Sequence, residues 1–165
     1  MSDLSHLDAA GRARMVDVTG KPPTDRTAVA EGVLTCAPAT VERAVAGDTP
    51  KGAVVSTAEL AGVMAAKRTA ELIPLCHPLP LTRVVVTVTP DSGLPGFRVR
   101  AEVRTHGQTG VEMEALTAVS VAGLTLFDML KAIDRTMVIG AIQVTAKRGG
   151  QGGDWGSDRG EGAAE

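Results

Sequence analysis

Two neighbouring segments, Thr82-Arg-Val-Val-Val-Thr-Val-Thr89 and Phe97-Arg-Val-Arg-Ala-Glu-Val-Arg104, set the architecture that the sequence predicts. The first is rich in β-branched residues, and the second alternates apolar with charged side chains, which is typical of a strand with one polar face. The stretch between them, Pro90-Asp-Ser-Gly-Leu-Pro-Gly96, has the proline and glycine content of a turn. We therefore predict an antiparallel hairpin over residues 82–104.

The residues on either side of this hairpin predict an α+β protein. Alternation predicts one strand before it and one near the C-terminus, while apolar residues at helical spacing predict helices between the strands. Gly62 lies inside one of these helices, where it costs stability unless another element approaches closely. The predicted strands are 26–36 and 137–145, and the predicted helices are 38–46, 53–71 and 111–134. This order is that of a ferredoxin-like sandwich, an antiparallel sheet with helices packed on one face.

The bulk composition indicates a single soluble domain. A chain of 165 residues can bury one core, and a formal net charge of −2 gives no bulk attraction to nucleic acid or to an anionic membrane. Two Phe, one Trp and no Tyr are too few for a base-stacking platform. We expect a catalytic domain over 1–150, including an N-terminal arm over 1–25, and a disordered Gly-rich tail over 151–165.

The expected compartment is the cytoplasm. The chain shows no charged-then-apolar leader and no apolar run of the length that a bilayer span needs. Cys36 and Cys76 are therefore expected as reduced thiols, and neither a membrane nor a nucleic acid is expected as a partner.

A rigid loop is predicted where Leu72-Ile-Pro-Leu-Cys-His-Pro-Leu-Pro-Leu81 places Cys76 beside His77 among three prolines. Each proline restricts its own backbone and that of the preceding residue to extended geometry. Three interpretations of Cys76 stay open: a metal ligand, a thiol nucleophile, and a buried thiol. The other Cys and His residues lack zinc-ligand spacing and no orienting base is evident, so the buried thiol is favoured. For His77 a ligand contact is at least as well supported.

Acidic residues mark both ends of the longest predicted helix. Thr109-Gly-Val-Glu112 fits a capping box, so a helix cap and a functional carboxylate are equally supported for Glu112. Asp128 and Lys131 are three residues apart, a spacing that on its own favours a surface ion pair. Glu114 and Asp128 lie fourteen positions apart, which is about 21 Å along a continuous helix. Either they bind opposite ends of a long substrate, or two subunits combine to form each site.

Several motifs resemble those of one family. In chain order they are Leu4-Ser-His-Leu-Asp8, Met15-Val-Asp-Val18, Lys51-Gly52, Ala66-Lys-Arg-Thr69, Leu72-Ile-Pro-Leu-Cys-His-Pro-Leu79, Thr109-Gly-Val-Glu-Met-Glu-Ala-Leu-Thr117 and Asp128-Met-Leu-Lys131. Together these motifs resemble the MoaC family, the cyclic pyranopterin monophosphate synthases of molybdenum cofactor biosynthesis, over about residues 4–150. The resemblance implies a lyase that converts (8S)-3′,8-cyclo-7,8-dihydroguanosine 5′-triphosphate to cyclic pyranopterin monophosphate and releases pyrophosphate.

The resemblance also implies roles for individual residues. Asp128 matches the family's central acid–base residue, with Lys131 close by, and we assign the proton transfers to both with help from Lys51. The substrate-binding residues are expected to be Leu75, Cys76, His77, Glu112, Met113 and Glu114, with Arg26, Lys67 and Lys147 as further cations for the triphosphate. The implied assembly is a homo-hexamer, a trimer of dimers with its sites at the dimer interface. No cofactor and no resident metal are expected, and a Mg²⁺ requirement stays open.

Two departures from the family pattern and two other functions bear on these expectations. Gln108 stands where many members have a lysine, and Arg148-Gly-Gly-Gln-Gly replaces a more usual Ser-Gly-Gly-Lys-Ser ending. Both departures remove or move a positive charge near the expected phosphate end of the site. A nucleotide-sensing module without catalysis is a second hypothesis, which the retained Asp128 and Lys131 disfavour. A hydrolase that uses the Cys76 thiol ranks third.

Overall fold

The computed structural model describes residues 10–156. Over this range the chain forms one antiparallel sheet with helices packed against it. Within that range the sheet has five strands in the order β2-β3-β1-β4-β5. The elements are β1 (Thr24–Thr35), α1 (Pro38–Ala46), α2 (Val54–Ala66), α3 (Thr69–Leu72), β2 (Leu81–Asp91), β3 (Gly96–Gly107), α4 (Glu112–Leu130), β4 (Val138–Arg148) and β5 (Trp155–Gly156). The predicted α+β class and antiparallel sheet are confirmed, while the ferredoxin-like assignment stays a prediction.

The hairpin alternation directs one face of the sheet to the core. In the β1–β3 register Ala28 pairs with Val103 and Leu34 with Phe97, and all four side chains are fully buried. Helix α4 packs against β1, β3, β4 and α2, whereas α2 covers β2. The intervening β3 positions are charged, as the alternation predicts. The core therefore lies between this one sheet face and the α2–α4 pair.

Close packing of α2 against its neighbours explains why Gly62 lies inside this helix, as the sequence predicted. A Cβ atom at Gly62 would lie 3.0 Å from the Ala118 carbonyl oxygen and 3.1 Å from the Val86 methyl groups. Glycine therefore lets α2 contact both α4 and β2 at this point. Because position 62 of α2 lies beside position 118 of α4, and Lys51 before α2 contacts Asp128 late in α4, the two helices run antiparallel.

The second predicted helix was wrong in its extent, since it ends at Ala66 and a separate turn, α3, follows. The Arg68 amide donates to the Ala65 carbonyl at 3.0 Å, which tightens the chain into a three-residue turn. The buried Thr69 hydroxyl donates to the Ala66 carbonyl at 3.0 Å. This side chain satisfies a carbonyl that the helix end leaves free, so the interruption is stable.

The boundaries of α4 and of the tail also differ from those predicted. Helix α4 begins at Glu112 with Val111 at the N-cap and no side-chain cap, so the predicted capping box at Thr109 does not form. It ends at Leu130, four residues early. At 155–156 the chain pairs with Ala146 and Lys147 of β4, where the sequence predicted a tail without order. The predicted tail beyond 156, and the arm before residue 10, lie outside the described residues.

Helix α4 is the one described helix whose length and composition would suit a bilayer span. It has 19 residues and a mean hydropathy of 1.4 over its best window, contrary to the expectation that no such segment exists. Ala118, Ala122 and Leu126 on this helix are fully buried. Its apolar side therefore packs on the sheet, as in the core helix of a globular protein.

The buried carboxylate of Asp134 connects the segment that follows α4 to the start of α1. Asp134 is 8% exposed, and its oxygens accept hydrogen bonds from the Ala37 amide at 2.8 Å, the Thr40 hydroxyl at 3.0 Å and the Thr136 amide at 2.8 Å. Substituting alanine leaves these donors unsatisfied in the interior. We expect Asp134→Ala to lower the free energy of unfolding by about 3 kcal/mol, measured by denaturant unfolding at neutral pH.

The same contacts predict how this loss depends on pH. The hydrogen bonds from the Ala37 amide and from Thr136 lower the pKa of Asp134 from 3.8 to about 2. A lowered pKa means that the carboxylate stabilises the fold above pH 3.8 and that this contribution disappears as the pH falls towards 2. The difference between wild type and Asp134→Ala should shrink over that interval. A matched surface change, Asp48→Ala, breaks an exposed pair with Arg43 and should have little effect at any pH; equal losses in both variants would contradict the account.

Candidate active site

The predicted site residues form two groups, one at each end of α4. We call Lys51, Asp128 and Lys131 the carboxyl-end cluster, because Asp128 lies in the last turn of α4 and Lys131 follows it. The amino-end cluster comprises Arg26, Lys67, Leu75, Cys76, His77, Glu112, Met113, Glu114 and Lys147. Each cluster combines residues from distant parts of the chain, which α4 and the antiparallel α2 bring together.

In the carboxyl-end cluster one carboxylate lies between two ammonium groups. Asp128 Oδ2 accepts a hydrogen bond from Lys51 Nζ at 2.5 Å, and Asp128 Oδ1 accepts one from Lys131 Nζ at 2.7 Å. Lys51 lies in a turn closed by the Thr49 hydroxyl, which donates to the Gly52 carbonyl at 2.7 Å. The left-handed backbone of Gly52, with φ of +80°, suits this turn. All three charged side chains are about half exposed.

The two lysines determine the charge state of this cluster. Their hydrogen bonds, that of Lys131 first and that of Lys51 second, lower the pKa of Asp128 to about 2. Asp128 is therefore ionised at neutral pH, and with both lysines protonated the cluster has one excess positive charge. An anionic ligand that draws an ammonium group away would raise the basicity of the carboxylate. The arrangement can bind phosphate and move a proton at the same place.

At the other end of α4, Glu112 forms an ion pair with Lys147. Lys147 pairs with Ala28 in the β1–β4 register, which places it on the sheet face that packs against the helices. Glu112 and Glu114 both lie in the first turn of α4, where free backbone N–H groups favour negative charge. The Glu112 carboxylate therefore contacts Lys147 instead of capping its own helix.

Glu114 is a buried carboxyl group beside the partly buried thiol of Cys76. It is 4% exposed, and burial raises its pKa, with a further contribution from the nearby charge of Glu112. Burial also raises the pKa of Cys76, and the charge of Glu114 adds to this effect. A thiol with a raised pKa is a poor nucleophile. Sequence analysis favoured a buried thiol, and Cys76 is partly buried, with a pKa that is raised as burial requires.

His77 is held by the N-terminal arm. Its Nε2 atom lies 2.7 Å from the carbonyl oxygen of Val16, and because a carbonyl can only accept, Nε2 carries a hydrogen. In the neutral imidazole Nδ1 is then left as an acceptor for a ligand. The flanking loop is neither helix nor strand from residue 76 to 80, and Ile73, which precedes Pro74, has extended backbone angles with φ of −108° and ψ of 108°. The sequence did not reveal Val16, because a backbone carbonyl leaves no mark in residue type.

The remaining members of the amino-end cluster are two cations and two apolar residues. Arg26 donates from Nε to the Gly107 carbonyl and from Nη2 to the Gln108 carbonyl, both at 3.2 Å. Lys67 is exposed at the C-cap of α2. Leu75 and Met113 are 37% and 36% exposed, so each offers apolar surface next to the polar groups. Within residues 10–156 no group of three or more His, Cys, Asp or Glu residues could hold a metal ion.

The two clusters are too far apart for one small ligand in one protomer. Glu114 and Asp128 lie near opposite ends of the uninterrupted α4, so about 21 Å of helix separates them. The structure brings Lys51, Asp128 and Lys131 together at one end of α4 and Glu112 and Lys147 together at the other, and it leaves these two groups apart.

Comparisons with known proteins identify close relatives. A protein of Nostoc sp. is 56% identical over 154 residues, covering 93% of this chain and 92% of the relative. One of Brucella ovis is 58% identical, covering 92% of each chain, and one of Roseiflexus sp. is 59% identical, covering 96% of this chain and all of the relative. Each of these three proteins is named cyclic pyranopterin monophosphate synthase. The model of the MoaC family matches residues 15–150, and the chain belongs to this family.

Proposed function

We propose that this chain is a cyclic pyranopterin monophosphate synthase of molybdenum cofactor biosynthesis. It converts (8S)-3′,8-cyclo-7,8-dihydroguanosine 5′-triphosphate to cyclic pyranopterin monophosphate and releases pyrophosphate. Family membership and three relatives of this name support the activity. The structural observation that best supports it is the Asp128 carboxylate held between Lys51 and Lys131.

The substrate's chemistry matches what the clusters offer. Ring opening and reclosure require protons to move, which we assign to Asp128 and Lys131 with Lys51 assisting. Glu114 is a buried carboxyl group in the first turn of α4, and we assign it to the N–H groups on the guanine-derived edge of the substrate. The lysines of both clusters stabilise the triphosphate and the departing pyrophosphate. No cofactor takes part in this scheme, and a Mg²⁺ ion would enter only with the triphosphate.

We assign the complete site to two subunits of a homo-hexamer, a trimer of dimers. The distance between the clusters supports this, since a site at a subunit interface can join the amino-end cluster of one protomer to the carboxyl-end cluster of its partner. Exposed apolar side chains on the outer helix faces also support association: Leu60 and Met64 of α2 are 61% and 49% exposed, and Leu124 of α4 is 59% exposed. A cytoplasmic location accords with a soluble nucleotide-derived substrate.

The direct test is to incubate the purified chain with the cyclised nucleotide and to follow both products. We expect stoichiometric formation of cyclic pyranopterin monophosphate and pyrophosphate. Tight binding of the nucleotide without turnover would support the sensor hypothesis instead. If the chain neither binds nor converts the nucleotide, both the lyase and the sensor hypothesis are refuted.

Substituting Cys76 distinguishes the lyase from a thiol hydrolase. Because the thiol is protonated and is not the nucleophile in our scheme, Cys76→Ser should reduce turnover by at most about tenfold, the loss of one modest contact. Steady-state turnover of the folded variant is the measurement. A loss of several orders of magnitude, with an unchanged melting temperature, would instead indicate covalent catalysis by the thiol.

A further inference from the structure

The side chain of Arg26 is engaged with the backbone that leads into α4. Its Nε atom donates to the Gly107 carbonyl and its Nη2 atom to the Gln108 carbonyl, both at 3.2 Å. Gly107 ends β3, and Gln108 begins the short connection to Glu112, the first residue of α4. The guanidinium group therefore connects β1 to the segment that positions the amino-end cluster.

A glycine pair after β4 closes over this guanidinium group. Gly149 and Gly150 have φ of +84° and +83°, which suits glycine. A Cβ atom at Gly150 would overlap Arg26 Nη1, and one at Gly149 would overlap the Asp25 carbonyl oxygen. The Gly150 backbone therefore packs against the guanidinium group, and a side chain at position 150 would have to displace that group.

The connection held by Arg26 is itself packed against a site carboxylate. A Cβ atom at Gly110 would overlap the Glu112 carboxylate, so this backbone lies directly against that group. Glu112 in turn pairs with Lys147. A continuous set of contacts thus runs from Arg26 through the 107–110 backbone to the Glu112–Lys147 pair.

We propose that Arg26 is a positioning residue, which fixes the 107–111 connection and thereby the amino-end cluster, in place of the phosphate contact expected from the resemblance. The inference rests on the proposed function for its kinetic consequence but not for its structural one. A guanidinium group suits this role because its rigid fork reaches two carbonyls at once, whereas a lysine would supply a single point charge. Displacing binding groups by about 1 Å can cost about 10²-fold in rate.

Two variants disturb the same contact from opposite sides. Arg26→Lys keeps the charge and loses the fork, and Gly150→Ala keeps Arg26 and pushes its guanidinium group away. Gly153→Ala is the matched control, because Gly153 also has a positive φ, of +71°, but has nothing within 4 Å of its Cβ position. It reproduces the backbone strain without touching Arg26.

The structural measurement is amide hydrogen exchange in the full-length protein. We expect faster exchange over residues 107–112 in Arg26→Lys and Gly150→Ala, with β2 unchanged and Gly153→Ala like wild type. If either substitution prevents folding, the other still tests the contact. Unchanged exchange over 107–112 in a folded variant that lacks the contact would overturn the inference.

The kinetic measurement separates positioning from phosphate binding. We expect kcat/KM of both variants to fall about 10²-fold while inhibition by added pyrophosphate stays at the wild-type level. Activity of Arg26→Lys equal to wild type, combined with weak pyrophosphate inhibition in Arg26→Ala, would identify a phosphate ligand and refute the proposal. If wild type itself fails to turn over, the proposed function falls, and hydrogen exchange still decides the role of Arg26.

Discussion

Replacing Asp128 with asparagine is expected to lower kcat by about 10²–10⁴-fold, the range typical of a general acid or base. Asparagine keeps the shape of the side chain but can neither take up a proton nor hold two ammonium groups. Both lysines then lose the group that orients them. Single-turnover conversion of the cyclised nucleotide measures the chemical step directly.

A loss of folding should not account for this effect. Asp128 and its lysines are about half exposed, and exposed ion pairs contribute little to stability, so Asp128→Asn should melt close to wild type. Asp48→Asn removes another exposed carboxylate, one that pairs with Arg43 at 3.1 Å, and should leave turnover unchanged. If Asp128→Asn converted substrate at the wild-type rate, our assignment of the proton transfers would be refuted.

Local patterns predicted most elements because they depend on neighbouring residues. Helix α1 has the predicted bounds, since Pro38 suits the first helical position and Gly47 takes the left-handed conformation at its end, with φ of +74°. The strands followed from β-branched content and alternation. One error has a distant cause, since Glu112 pairs with Lys147 instead of forming a capping box. The other is local: the buried Thr69 hydroxyl bonds the Ala66 carbonyl three residues earlier, a contact that apolar spacing does not reveal.

The contacts in the site likewise include some that local sequence patterns predict and some that they do not. The Asp128–Lys131 contact follows from a three-residue spacing, so the sequence predicted it without other information. The contact between Lys51 and Asp128 spans 77 positions, and local patterns cannot predict it; only the resemblance placed Lys51 in the site. The Val16 carbonyl beside His77 was missed altogether, because hydrogen bonding by the backbone does not depend on residue type.

Mixing two inactive variants should restore activity if each site combines two subunits. Asp128→Asn damages the carboxyl-end cluster, and Glu114→Gln replaces the buried carboxylate of the amino-end cluster. We expect the second change to reduce kcat/KM about 10²-fold or more, because an amide presents N–H donors where the substrate requires an acceptor. In a mixed assembly, an interface between an intact Asp128 and an intact Glu114 forms a complete site.

The size of the recovery follows from random assortment. When the two variants are co-expressed in equal amounts, a given site has an intact carboxyl-end cluster in half of the cases and an intact amino-end cluster in half, so about a quarter of sites are complete. A matched control is co-expression of Asp128→Asn with Lys131→Gln. Both changes lie in one cluster, which a single protomer supplies, so no assortment can produce a complete site.

Subunit complementation is therefore the measurement that tests the two-subunit site most directly. Turnover by the purified Asp128→Asn and Glu114→Gln mixture should rise from the level of its parents to about a quarter of wild type, with no rise in the Asp128→Asn and Lys131→Gln mixture. Mixed oligomers that stay at the activity of the parents would show that the two ends of α4 do not meet across subunits.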